Sequence, residues 1–139
     1  MNFDGAMFGE SDEAGIGVVI RNSNGKVRAA LSEKIKKPPN AEILELLAAK
    51  RAVLFSLETG TLKAVIEGDA ESVIRVLQYG GWERAQGGHL IKDISAIKKL
   101  FSEYFLLSCW SARQCSRSCL SPESKTFISF FCLDEACST

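Results

Sequence analysis

Gly15-Ile16-Gly17-Val18-Val19-Ile20-Arg21-Asn22-Ser23-Asn24-Gly25 decides the fold. β-Branched residues dominate its first half, and four turn-forming residues with Asn-Gly at the tip close it, which together signal a β-hairpin. The extended pattern resumes at Val27 and continues to Ile35. Upstream, Asn2-Phe3-Asp4 reads as the end of an earlier strand whose first residues are missing, so three consecutive antiparallel strands are expected. Downstream, Pro38-Pro39 stops the extended chain, and Asn40 offers a helix N-cap with Glu42 and Glu45 near the positive end of the helix dipole. Leu44, Leu47, Ala48, Arg51, Leu54 and Phe55 recur at helical spacing over residues 41–58, and Gly60 supplies the stop. Leu62 to Ile66 forms a short apolar strand ending in Glu67-Gly68-Asp69, and Ala70 to Leu77 continues as a helix. After a glycine-rich loop, Ile91, Ile94, Ile97, Leu100 and Phe101 outline another amphipathic helix, and Phe105 to Leu107 begins a fifth strand.

The 139 residues carry 17 basic and 17 acidic side chains and are 46% hydrophobic, the profile of one globular domain. Zero net charge excludes a globally basic nucleic-acid binder but not an acidic site that reaches nucleic acid through cations. No apolar run is long enough to span a membrane, and Met1 to Ala6 lacks the regions of a signal peptide, so an intracellular protein is expected. All five cysteines lie between Cys109 and Cys137, whereas all eleven glycines lie at or before Gly88. An odd cysteine count argues against a disulfide framework, and the spacings Cys115-x3-Cys119 and Cys132-x4-Cys137 are loose for zinc.

Three acidic residues stand where strands and a helix could bring them together: Asp4, Glu45 and Asp69. A turn aspartate, a solvated helix residue and a helix N-cap would account for them individually. As a cluster they make chemical sense around hard cations, which suit oxygen ligands and remove the mutual repulsion. The motifs Asn2-Phe3-Asp4-Gly5-Ala6, Ala14 to Arg21, Glu45 to Val53 and Glu67-Gly68-Asp69-Ala70, in that order, resemble the plant RNase H-like domain. That family is related to the RNase H of reverse transcriptases and is often found beside retroelement sequences. The resemblance covers residues 2 to about 106. It implies an α/β fold of the ribonuclease H type, a mixed five-stranded sheet with three antiparallel strands, parallel additions and flanking helices. It further implies a monomer that hydrolyses RNA paired with DNA by a two-metal mechanism. Asp4, Glu45 and Asp69 match the family's first three metal-binding and catalytic carboxylates, with Mg2+ as the expected ion and Mn2+ as a substitute. Glu42 is the rival for the helix position, but Glu45 has the family's spacing to Ala48 and Ala52.

The chain departs from the family after Leu107. In place of His-Val-x-Arg-x-x-Asn and a helix bearing a fourth acidic residue it has Ser108-Cys109-Trp110-Ser111-Ala112-Arg113-Gln114. Reading permitted codons from Leu107 one nucleotide later yields Ser-His-Val-Gly-Arg-Gln-Gly-Asn, which restores the motif. Residues 1–107 therefore read as an RNase H-like domain truncated at both ends and lacking its last helix. Residues 108–139, with eight serines and five cysteines, read as a frameshifted or disordered tail. Asp134 and Glu135 lie too far along to inherit the fourth acidic position. The loss predicts weak or no catalysis, and a noncatalytic nucleic-acid-binding module or a retroelement-derived remnant is the alternative. Elsewhere, His89 reads as a helix-entry residue and Trp82 as a loop aromatic that could stack on a base. Lys34, Lys36, Lys37, Lys50 and Arg51 form the densest basic group, readable either as phosphate contacts or as a solvated surface.

Overall fold

The computed structural model describes residues 1–81 and 86–108. Trp82, the cysteines, Asp134, Glu135 and nearly all of the expected tail lie outside the described residues. Five strands and three helices follow one another as β1 (Asn2–Met7), β2 (Glu13–Arg21), β3 (Val27–Lys36), α1 (Ala41–Glu58), β4 (Lys63–Gly68), α2 (Glu71–Tyr79), α3 (Gly88–Lys98) and β5 (Glu103–Ser108). The sheet order is β3-β2-β1-β4-β5. β1 pairs antiparallel with β2 and β2 with β3, while β4 lies parallel to both β1 and β5. This is the mixed five-stranded sheet with flanking helices expected from the sequence.

Local chemistry sets the boundaries. In the β2–β3 turn, Asn22 Oδ1 accepts from Asn24 N at 3.0 Å and Lys26 N at 2.9 Å, while Gly25 takes a φ of 79° that a side chain would resist. Asn40 caps α1, its side chain accepting from Ile43 N at 2.9 Å. At the other end Ser56 Oγ donates to Thr61 O at 2.8 Å, turning the chain toward β4. α3 ends earlier than expected, at Lys98, because Leu100 N and Phe101 N bond to the carbonyls three residues back. Leu100 is left exposed, while Phe101 still joins the core.

α1 packs on β1 and β2 with one side and on α3 with another, so nine of its residues, from Ile43 to Ser56, are buried. Ala48, Ala49 and Ala52 keep those contacts close. Along β2, Ala14, Ile16, Val18 and Ile20 are buried toward α1, alternating with half-buried residues on the opposite face. Lys98 is buried between α2 and β5, its Nζ donating to Leu77 O at 2.6 Å and lying 5.2 Å from the Tyr104 ring centre. Val65, Phe105 and Leu107 stand on the sheet face away from α1, 40%, 58% and 36% exposed. Among the described residues no helix is long and apolar enough to cross a membrane.

Candidate active site

The site is built from the parallel ends of β1 and β4 and the second turn of α1. β1 and β4 share one registered pair, Asn2 with Glu67, beyond which the strands part. Asp4 and Asp69 each follow that pair by two residues, and Asp4 thereby shares a face of β1 with Asn2. Asp69 stands just past the last residue of β4, before α2 begins at Glu71. The carboxyl ends of parallel strands where the strand order reverses, here between β1 and β4, are where open α/β sheets bind ligands.

Glu45 reaches the site from the helix layer. Gly5 makes this possible: a methyl group there would lie 2.6 Å from Leu44 Cγ, so only glycine lets α1 come this close to β1. Leu44 then fills the space over Gly5, and Glu45, next in the helix, is turned toward Asp4. One carboxylate oxygen from each of Asp4, Glu45 and Asp69 lies within 4.8 Å of the others. Asp4 is oriented by its own strand, since its Oδ1 accepts from Gly5 N at 2.8 Å. Burial is graded, with Glu45 9% exposed and Asp69 open to solvent. A divalent cation fits this donor set, which is all oxygen, concentrates negative charge and is open on one side for substrate.

The structure brings together all three expected residues and leaves Glu42 out, exposed in the first turn of α1. His89 is exposed in the first turn of α3, as expected of a helix-entry residue. The basic group is dispersed and largely paired. Lys34 meets Glu13 at 3.4 Å, Lys50 meets Asp93 at 2.8 Å, and Arg51 bonds to Glu33 at 2.9 Å and Glu58 at 3.0 Å. These partners raise the Arg51 pKa, and Lys50 lowers that of Asp93.

The sequence reading passed over the Asn2–Glu67 pair, in which Asn2 Nδ2 donates to Glu67 Oε2 at 3.0 Å. Its signal was available, since each residue precedes a site aspartate by two positions. Cavities of about 180 and 430 Å3 lie beside α2, and none of the three carboxylates lines either.

Comparisons agree with this architecture. RNase H1 from the halophilic archaeon Halobacterium salinarum NRC-1 superposes with a TM-score of 0.69 at 20% identity, over 77% of this chain and 81% of that one. LC11-RNase H1, solved in complex with an RNA/DNA hybrid, gives 0.66 at 21% identity over 81% and 87%. The protease-reverse transcriptase of prototype foamy virus gives 0.63 at 16% identity, covering 91% of this chain but 19% of the viral one. These superpositions establish a shared ribonuclease H fold. No curated protein matches the sequence significantly. The model of the family described as reverse transcriptase-like matches residues 2–118, most of the chain. By that match, and with the fold and acidic site described above, the chain belongs to the reverse transcriptase-like family.

Proposed function

We propose that this chain is an RNA–DNA hybrid ribonuclease domain with reduced activity, using Asp4, Glu45 and Asp69 to hold Mg2+, with Mn2+ as a substitute. The convergence of the three carboxylates within 4.8 Å carries the reading. Family membership, and the hybrid bound by a protein of the same fold, support it. Divalent cations bound there would lower the pKa of an attacking water and stabilise the leaving 3′ oxygen of a phosphodiester. Asp4, fixed by the Gly5 amide, and the largely buried Glu45 form the rigid side of the site. Asp69, open to solvent, faces the side from which a polymer arrives. Reduced activity follows from the sequence after Leu107, which lacks the fourth acidic residue of the resembling family. A second cation would be poorly held, and each 1.4 kcal/mol of lost stabilisation costs about tenfold in rate.

The test is cleavage of a labelled RNA–DNA hybrid in millimolar Mg2+. The chain should cut slowly, and Asp69→Asn should abolish cutting while leaving the urea unfolding curve within about 0.5 kcal/mol, as for a surface change. Restoring the shifted frame should raise the rate at least tenfold. Full activity in the present chain would refute the assigned weakness. Hybrid binding without any cleavage, unaffected by Asp69→Asn, would favour a noncatalytic nucleic-acid-binding module.

A further inference from the structure

Asn2 and Glu67 face each other across the single registered pair of β1 and β4, immediately before the two site aspartates. Asn2 is 4% exposed, its Nδ2 is 3.0 Å from Glu67 Oε2, and the Glu67 amide bonds to Met1 O at 2.8 Å. Backbone and side-chain bonds therefore join the strands at this level. Asn2 Oδ1 is buried without a hydrogen-bond partner among the described residues, so the side chain is held by its donor end alone. A buried polar residue kept for one hydrogen bond is an expensive choice unless that bond fixes something. Two residues farther along lie Asp4, within β1, and Asp69, just past the end of β4.

We infer that the Asn2–Glu67 hydrogen bond is a positioning device that sets the separation of Asp4 and Asp69, and hence cation affinity at the acidic site. The inference rests on the proposed cation-binding role of that site. Neither residue joins the cluster of three, so the pair acts through the aspartates. The chemistry of the pair is specific. Asparagine supplies a donor to the carboxylate without adding charge beside the site, whereas aspartate would repel Glu67 and an aliphatic residue would leave it without this donor. Partners that orient metal ligands in this way typically change affinity ten- to a hundredfold when removed.

Isothermal titration of Mn2+ into the full chain tests the role, because charge and geometry predict opposite signs. Asn2→Asp adds a negative charge near the site, which by charge alone would tighten cation binding. Loss of the bond should instead weaken it by about tenfold or more. Combining Asn2→Asp with Glu67→Gln restores the total charge and remakes the bond with reversed polarity, and should recover most of the affinity. If Asn2→Asp alone fails to fold, as judged by urea unfolding, the folded double variant carries the test. Tighter binding in Asn2→Asp, or lost affinity in a folded double variant, overturns the positioning role. Asp69→Asn is the control for the underlying site. Unchanged Mn2+ affinity in that variant removes the site itself and overturns the positioning role with it, whereas a loss there beside unchanged affinity in Asn2→Asp refutes positioning alone.

Discussion

Gly5 and Glu45 show how closely packing and chemistry are joined at single residues. Gly5→Ala would push a methyl group into Leu44, and overpacking of this kind costs about 1–3 kcal/mol. Because Glu45 follows Leu44, the same change should also weaken Mn2+ binding. Gly17→Ala, with no neighbour within 4 Å of the added carbon, is the control and should leave unfolding nearly unchanged. Urea titration of both variants checks this. The choice between the two glutamates of α1 yields a second expectation. Glu45→Gln should reduce Mn2+ affinity at least tenfold, and Glu42→Gln should leave it unaltered, as read by calorimetry. The sequence already favoured Glu45 through its spacing to Ala48 and Ala52. What spacing could not convey is the close approach at Gly5, because which residue meets a glycine across layers depends on helix placement.

Among the elements, α1 was legible to the residue, since prolines, a capping asparagine and a closing glycine punctuate it at both ends. β1 was not: Gly5, Ala6 and Met7 carry little strand propensity and become extended only by pairing with Ile16, Gly15 and Ala14. α3 was misjudged at its end because Leu100 and Phe101 continue the apolar spacing after the backbone has tightened into i→i+3 bonds. The same helix carries a buried cation whose consequence is a pH dependence. Burial lowers the Lys98 pKa from its ordinary 10.5. Below the folded value both states are protonated and the fold bears the full cost of the buried charge. Between the folded value and about 10.4 the unfolded chain holds a proton that the folded chain has shed, so rising pH favours folding across that window. Relative to Lys98→Met, the native protein should therefore gain urea stability as the pH rises toward 10.5. A difference that stays constant with pH would refute this account.

At the level of the whole molecule, the described body is unevenly covered. Helices α1 and α2 pack over one face of the sheet, whereas Val65 on β4 and Phe105 on β5 are exposed on the other. Parallel strands are ordinarily covered on both sides, and among the described residues nothing lies over Val65 and Phe105. That half of the fold was least legible, because Tyr104 to Leu107 is a continuous apolar run that does not say which face is covered. The switch from antiparallel to parallel pairing at β1 has a mechanical consequence. It divides the sheet into an antiparallel meander bound to α1 and a parallel pair bound to α2, with one registered pair as the seam. Asp4 and Glu45 belong to the first half and Asp69 to the second. A cation shared by all three would act as a rivet through that seam. Saturating Mn2+ should thus slow amide exchange along β4 and β5 well beyond the site, and in Asp69→Asn it should slow neither strand.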